Sequence, residues 1–566
     1  MKAINHEYRN NGVIYLIHLP FWTPLIPPQG IARLKTYLQD RGYQSITLDL
    51  NVDYEAKSSL ENIFKLIRDI VPGYQWGNFY DNAYEVIKNI TILVANTTNP
   101  ETKFQMIRKI FSYYYLYDIS NEDSMRMVEL IEEYFLYLED SIVKKIVEDP
   151  HISALGVSLH SGNLGSSLYV LKRIKEERTD IKTVVGGSVF MGELRYNTPD
   201  FSRFLKKTDK LINHYIIGAG ERAFLYLLEN RFKTEKRIII ADPEKDSRIG
   251  FSIKPNLDDF DMGNYPYLAS YASKSCPNAC SFCNERSFMG EYTERNVKVV
   301  VDEIEKSSRK YQKNMIFMLD VLMNNYISEF SKELVSRDVS CYFDGYIRVA
   351  DELADRKHTQ LWRDAGFYRA RLGIESGSQK ILDLINKKIT VSQIVDSLKG
   401  LATTGIKTTT YLVIGHPGET DDDFQKTMNL ITECQENIWQ AEPHLFRYFY
   451  DGQSGSGSWA KHRRPLFTDE ELDSIIIQTY YLDLFPNHEI GLRRMWKTME
   501  HLKSTGIINP HTVYDKYKAD ERWIGLHRNS VPSVAEVGEL EINRSSHEPN
   551  QDFLVTDLNF ENNFLF

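Results

Sequence analysis

Short apolar runs rich in β-branched residues alternate along this chain with longer stretches of helical period, and that alternation restricts its fold more than any other feature. A run that is apolar on both faces must be a strand covered by helices on each side, which is the parallel α/β plan. One series of strands is expected at 13–19, 45–51, 154–159, 182–186 and 214–217. A second is expected at 268–274, 315–319, 340–346, 370–374, 407–414 and 444–450. Six strands with crossovers fit a partial (β/α) barrel better than an open sheet. Within the first series, residues 52–150 change to long amphipathic stretches with clustered aromatics (Phe111, Tyr113, Tyr114, Tyr115, Tyr117), which predicts a helical insertion.

The 566 residues are ample for several domains with sizeable cores. Lys plus Arg is 68 and Asp plus Glu is 78, a net charge of −10. That balance argues against a dedicated nucleic-acid or anionic-membrane binder, so no partner of that kind is expected. The apolar stretch 13–22 contains His18 and Pro20 and runs into Pro24, Pro27 and Pro28, so no membrane span is expected. The start lacks a signal-peptide pattern, and five cysteines are too few for a disulfide scaffold, which together predict a cytoplasmic protein. Residues 452–458, Gly-Gln-Ser-Gly-Ser-Gly-Ser, read as a flexible loop without chemistry, and 468–484 and 491–502 have helical period.

Three of the five cysteines stand together, in Ser275-Cys276-Pro277-Asn278-Ala279-Cys280-Ser281-Phe282-Cys283, directly after an expected strand. Thiolates at this spacing can converge on one soft metal centre. Zinc would want a fourth Cys or His at comparable spacing, and none follows closely. Three Cys suit a [4Fe–4S] cubane with one iron left without a protein ligand.

Cys-x3-Cys-x2-Cys after a first barrel strand, with an aromatic before the third Cys, resembles the signature of the radical S-adenosylmethionine (SAM) superfamily. The resemblance implies that Cys276, Cys280 and Cys283 hold the cluster, that its open iron binds SAM, and that Phe282 lies beside the adenine. It also implies one-electron cleavage of SAM, with the electron from a donor such as flavodoxin or ferredoxin. Further matches follow in order. Asp320 ends the second barrel strand and could take the SAM ammonium. Glu375 and Ser376, in Gly373-Ile374-Glu375-Ser376-Gly377, resemble the ribose-binding segment. Gly415 and Pro417, in Gly415-His416-Pro417-Gly418-Glu419-Thr420, resemble the turn near the adenine, although His416 stands where the family is more often apolar.

The segment 19–32 before a helix, with Val184-Val185-Gly186-Gly187-Ser188 and Gly218-Ala219-Gly220-Glu221 after later strands, resembles cobalamin-binding domains fused to radical SAM barrels. Small residues there would let the backbone approach a large flat cofactor at strand carboxyl ends. By that resemblance Leu19, Thr23, Ser158, Gly186, Gly187, Gly218 and Glu221 would contact cobalamin. The Asp-x-His-x-x-Gly pattern that brings a histidine to cobalt is incomplete both at Asp149-Pro150-His151, with Ala at 154, and around His18, so no His ligand to cobalt is expected.

Methylthiotransferases with this barrel carry three more cysteines before it, and here Cys276 is the first; Cys341 and Cys434 have no partners at ligand spacing and read as core thiols. The expectation is therefore an α/β chain with three parts. Residues 1–250 form a Rossmann-like cobalamin-binding domain with its insertion, 251–460 a partial (β/α)6 TIM-type radical SAM barrel, and 461–566 a mainly helical region. The activity implied is a cobalamin-dependent radical SAM methyltransferase acting on an unactivated carbon or phosphinate of a peptide or small natural product. A non-methylating rearrangement, cyclisation or oxidation on the same scaffold is the alternative.

Overall fold

The computed structural model describes residues 12–21, 24–242, 245–453, 455–510 and 513–527. The first strand series forms one all-parallel sheet: β1 (Val13–His18), β2 (Ser45–Asp49), β3 (Ile152–Ser158), β4 (Lys182–Gly186), β5 (His214–Ile217) and β6 (Ile238–Ile240), ordered β2-β1-β3-β4-β5-β6. β6 is absent from the sequence reading, because three isoleucines are too short a run to show a period. The strand order reverses between β1 and β3, the switch point at which open α/β sheets open a ligand crevice beyond their carboxyl ends.

Helix α1 (Gln29–Gln39) returns from β1 to β2. The insertion is helical as expected, with α2 (Tyr54–Ile70), α3 (Phe79–Asn96), α4 (Pro100–Tyr115), α5 (Asn121–Leu138) and α6 (Lys144–Glu148). Its aromatics pack inward, with Phe111, Tyr115 and Tyr134 fully buried. The series resumes with α7 (Leu164–Glu177), α8 (Pro199–Lys207) and α9 (Gly220–Glu229). The insertion covers the switch point. A Cβ on Gly165 would lie 2.5 Å from the Thr91 carbonyl carbon, and one on Gly162 would lie 2.3 Å from Tyr84 Oη, so glycine is what lets α3 come this close.

In the second half the chain runs through β7 (Leu268–Ser270), a small antiparallel pair β8 (Ser273–Lys274) and β9 (Thr293–Glu294), then β10 (Met315–Met318), β11 (Tyr342–Arg348), β12 (Phe367–Glu375), β13 (Lys407–Ile414) and β14 (Gln440–Leu445). Six of these form a parallel sheet ordered β14-β13-β12-β11-β10-β7, a partial barrel. β14 lies several residues before the expected 444–450 and contains Pro443, which an edge strand tolerates and a periodicity search penalises. Residues 468–484, expected as helix, give only a turn of helix at Leu472–Ile475 and then β16 (Tyr480–Leu482), paired antiparallel with β15 (Arg463–Pro465). Consecutive aromatics at 480–481 favour extended backbone there. The helix His488–Thr505 contains the expected 491–502. Cys341 and Cys434 are buried, and burial pushes each thiol up to about 12. Among the described residues no helix is long and apolar enough to cross a membrane.

Candidate active site

One cavity of about 390 Å³ is lined by residues of the second sheet, of the helical insertion and of the segment after β4. Cys276, Cys280 and Cys283 are on its wall together with Phe282, Glu375, Gly415 and Pro417, so the structure brings these seven expected residues to one place.

The cysteine loop is held from two sides. On the barrel side, Ser281 N–H donates to Ile385 O at 2.9 Å and Asn386 Nδ2 donates to Ala279 O at 2.8 Å. On the other side lies the Gly/Ser segment read as a free loop, and the structure corrects that reading. Gly455 N–H donates to Ser281 O at 2.9 Å, buried Gln453 donates through Nε2 to Phe282 O at 2.8 Å, and Ser287 Oγ bonds Gly452 O. Gln453 also donates to Arg447 O at 2.9 Å and accepts from Phe449 N–H at 3.0 Å, so this strap ties the cysteine loop to the cavity wall.

The sulfurs have polar neighbours of their own. Asn278 Nδ2 donates to Cys276 Sγ at 3.4 Å and Arg348 Nη1 to Cys280 Sγ at 3.6 Å. Among the described residues no three His, Cys, Asp or Glu close on a single ion. Thiolates on a cubane each bind a different iron and stand wider apart, so this spacing is compatible with a cluster. Three soft donors on one loop, facing a cavity, fit such a group.

Glu375 ends β12 with φ of +60° and pairs with Lys387 Nζ at 2.5 Å. A Cβ on Gly373 would meet Glu375 Oε1 at 2.4 Å, so the glycine makes room for the carboxylate. Lys387 is buried and escapes the sequence reading, since it belongs to no strand-end motif. In the Gly415–Glu419 turn the carboxylate works on its own backbone. Glu419 Oε2 accepts from Gly415 N–H at 3.0 Å and from Arg494 Nη1 at 2.8 Å; burial pushes its carboxyl up to about 7 against the pull of Arg494. His416 packs between Phe446 and Trp459 with ring centroids 4.9 and 5.5 Å away, and burial lowers it to about 4.

Asp320 and Ser376 are not on the cavity wall. Asp320 accepts from Ala272 N–H at 3.0 and 3.1 Å and from Ser273 Oγ at 2.6 Å, and it is fully buried, which raises its carboxyl to about 6. It clasps the backbone leading into the cysteine loop. Ser376 Oγ is shared between Thr427 Oγ1 at 3.0 Å and Ser378 N–H at 3.1 Å.

The cavity does not reach the strand-end residues of the first sheet either. Leu19 is fully buried in the core shared with the insertion, and Ser158 O accepts from Asn163 Nδ2 at 2.9 Å. A Cβ on Gly187 would lie 2.3 Å from Leu159 O, so that glycine serves chain packing. Gly186, Gly218 and Glu221 also lie off the wall, and burial raises the Glu221 carboxyl. Thr23 lies outside the described residues. Near these strand ends His18 and His160 stack with centroids 5.0 Å apart.

What the first half presents to the cavity instead is a polar stripe of α3, Asp81, Asn82, Glu85 and Lys88, with Asn78 before it and Glu193 and Arg195 from the segment after β4. Glu85 accepts from Lys88 Nζ at 2.7 Å, Tyr114 Oη at 3.1 Å and Arg447 Nη2 at 2.8 Å. Asp81 Oδ2 meets His444 Nδ1 at 2.5 Å. Residues at this spacing share one helix face. A polar stripe on an otherwise buried helix was therefore the signal available in the sequence.

With this geometry in view, comparison with known proteins places the chain. Residues 271–431 match the model of the Radical SAM superfamily, so the barrel and its cysteine loop are a radical SAM domain. Beyond that domain the likeness is one of fold. The radical S-adenosylmethionine methyltransferase TsrM from Kitasatospora setae, solved with cobalamin and a [4Fe–4S] cluster bound, superposes with a TM-score of 0.58 at 14% identity, covering 94% of this chain and 99% of that one. The anaerobic magnesium-protoporphyrin IX monomethyl ester cyclase of Rubrivivax gelatinosus is 27% identical over 296 residues, 47% of this chain and 52% of the cyclase. The match thus spans about half the length of that curated relative. An uncharacterised methyltransferase of Pyrococcus horikoshii is 24% identical over 418 residues, 66% of this chain and 90% of that protein.

Proposed function

We propose that this protein is a cobalamin-dependent radical SAM methyltransferase that moves a methyl group from SAM, by way of cobalamin, to an unactivated carbon or phosphinate of a peptide or natural-product substrate. The observation that carries the reading is the single cavity shared by the three-cysteine loop, the barrel strand ends and the polar face of α3. Cys276, Cys280 and Cys283 would hold the cluster. Phe282, Glu375, Gly415 and Pro417 would face SAM. The α3 stripe and residues 192–195 would face cobalamin. When bound, cluster and SAM supply a carbon radical and cobalamin a transferable methyl group.

The protein's own contribution is to orient the reactants and exclude water. Gln453 and Ile385 fix the cysteine loop, Lys387 fixes Glu375, and Arg447 with Glu85 closes the cavity between the two halves. The electron would come from a low-potential donor such as flavodoxin or ferredoxin. The test is anaerobic turnover, with candidate substrates, of SAM labelled at its methyl group. Label in the product is expected; 5′-deoxyadenosine released without label transfer overturns methylation in favour of a rearrangement, cyclisation or oxidation.

A further inference from the structure

The side chain of Arg348 has a single described partner, Cys280 Sγ, at 3.6 Å. Its setting is built for that contact. Arg348 is the last residue of β11, and Asn324 grips its backbone on both sides, accepting from the N–H at 2.8 Å and donating to the carbonyl at 2.9 Å. The other cation near Cys280, Lys387, is engaged by Glu375 at 2.5 Å, while none of the described carboxylates forms an ion pair with Arg348. One guanidinium on an anchored backbone thus reaches one of the three thiols, which is itself buried.

A hydrogen bond and a positive charge on a cluster thiolate favour the redox state with more negative charge on sulfur. Such contacts are among the levers that set the potential of iron–sulfur centres. We propose that Arg348 raises the reduction potential of the cluster held by Cys276, Cys280 and Cys283, and so makes it easier for a weak physiological donor to reduce. The proposal rests on the reading that these cysteines bind a [4Fe–4S] cluster. The step is a one-electron transfer: a low-potential donor loses an electron, the cluster gains it, and no proton or bond changes hands. Arg348 is a positioning residue here, acting through the thiolate.

The test is a redox titration followed by the EPR signal of the reduced cluster, on reconstituted full-length protein without SAM, for wild type, Arg348→Lys, Arg348→Met and Asn324→Ala. Arg348→Met is expected to load iron as wild type does and to shift the midpoint downward. The ratio of reduced to oxidised cluster at a fixed potential should fall by about tenfold, equivalent to about 59 mV for one electron. Arg348→Lys, which keeps the charge and loses the fork, is expected to fall between. Asn324→Ala frees the arginine without touching the loop, should shift the midpoint the same way, and decides the matter if Arg348→Met does not load.

Midpoints unchanged in Arg348→Met and Asn324→Ala overturn the proposal. So does a variant whose potential stays put while its SAM affinity drops, since that assigns the arginine to SAM. Wild type that binds no iron overturns the cluster reading itself, and this is read before any variant is compared.

Discussion

At the scale of single residues, Glu85 decides how the two halves meet. Its side chain is 7% exposed and takes bonds from Lys88, Tyr114 and Arg447. Burial alone would push its carboxyl up, but Arg447 and Lys88 outweigh that and hold it down at about 2. Glu85→Gln takes the shared carboxylate from buried Lys88 and half-buried Arg447, so a loss of about 1–3 kcal/mol is expected in urea unfolding at neutral pH. The sign with pH follows from the lowered value. The stabilisation is complete above the ordinary carboxylate value of 4.5 and drains away as the pH falls from there toward about 2. The stability gap between wild type and Glu85→Gln should therefore narrow over that acidic window; a gap independent of pH would show that the Glu85 charge is not what matters. Of the site residues, the cysteine spacing is legible in sequence because ligand geometry dictates it. The clasp that Asp320 makes is not, because sequence does not say that Ala272 and Ser273 fold against it.

Among the elements, the strap at 452–456 does what composition could not show. Glycine and serine say that a backbone is free to bend, not that it stays unbound in the folded chain. Gln453→Ala removes two donated bonds and one accepted bond, at roughly 1 kcal/mol each. Chelator competition after reconstitution should strip iron from this variant at a concentration lower by on the order of tenfold or more, with secondary structure unchanged. Equal resistance to chelator would show that the barrel side alone secures the loop. Strands at 182–186, 214–217 and 407–414 are read to the residue, since each is a continuous apolar or β-branched run between turn signals. β14 is displaced because its Pro443 and Glu442 break the pattern that the following aromatics imitate.

For the whole molecule, the two parallel series are legible because burial on both faces leaves a mark on every strand. The seat of the insertion is not, since an amphipathic stripe reports that a helix is covered but not by what. That seat has a measurable consequence. A chain limited to residues 251–460 would expose the cavity side of the barrel and leave Arg447 without Glu85. It is expected to be recovered as aggregate, or to fail to retain iron on reconstitution, where the full chain succeeds. A soluble, iron-loaded barrel would show that the first half contributes only its cofactor. The strap also sets an order in time. Gln453 closes on Phe282 from 171 residues further along the chain. At typical synthesis rates of about 5–20 residues per second, roughly 10–35 s pass between the two leaving the ribosome. Through that interval the three thiols ride on a nascent loop braced at most from one side, so a latched site for iron exists only once Gln453 has emerged, and oxygen reaching the nascent chain earlier would strike before the latch has been made.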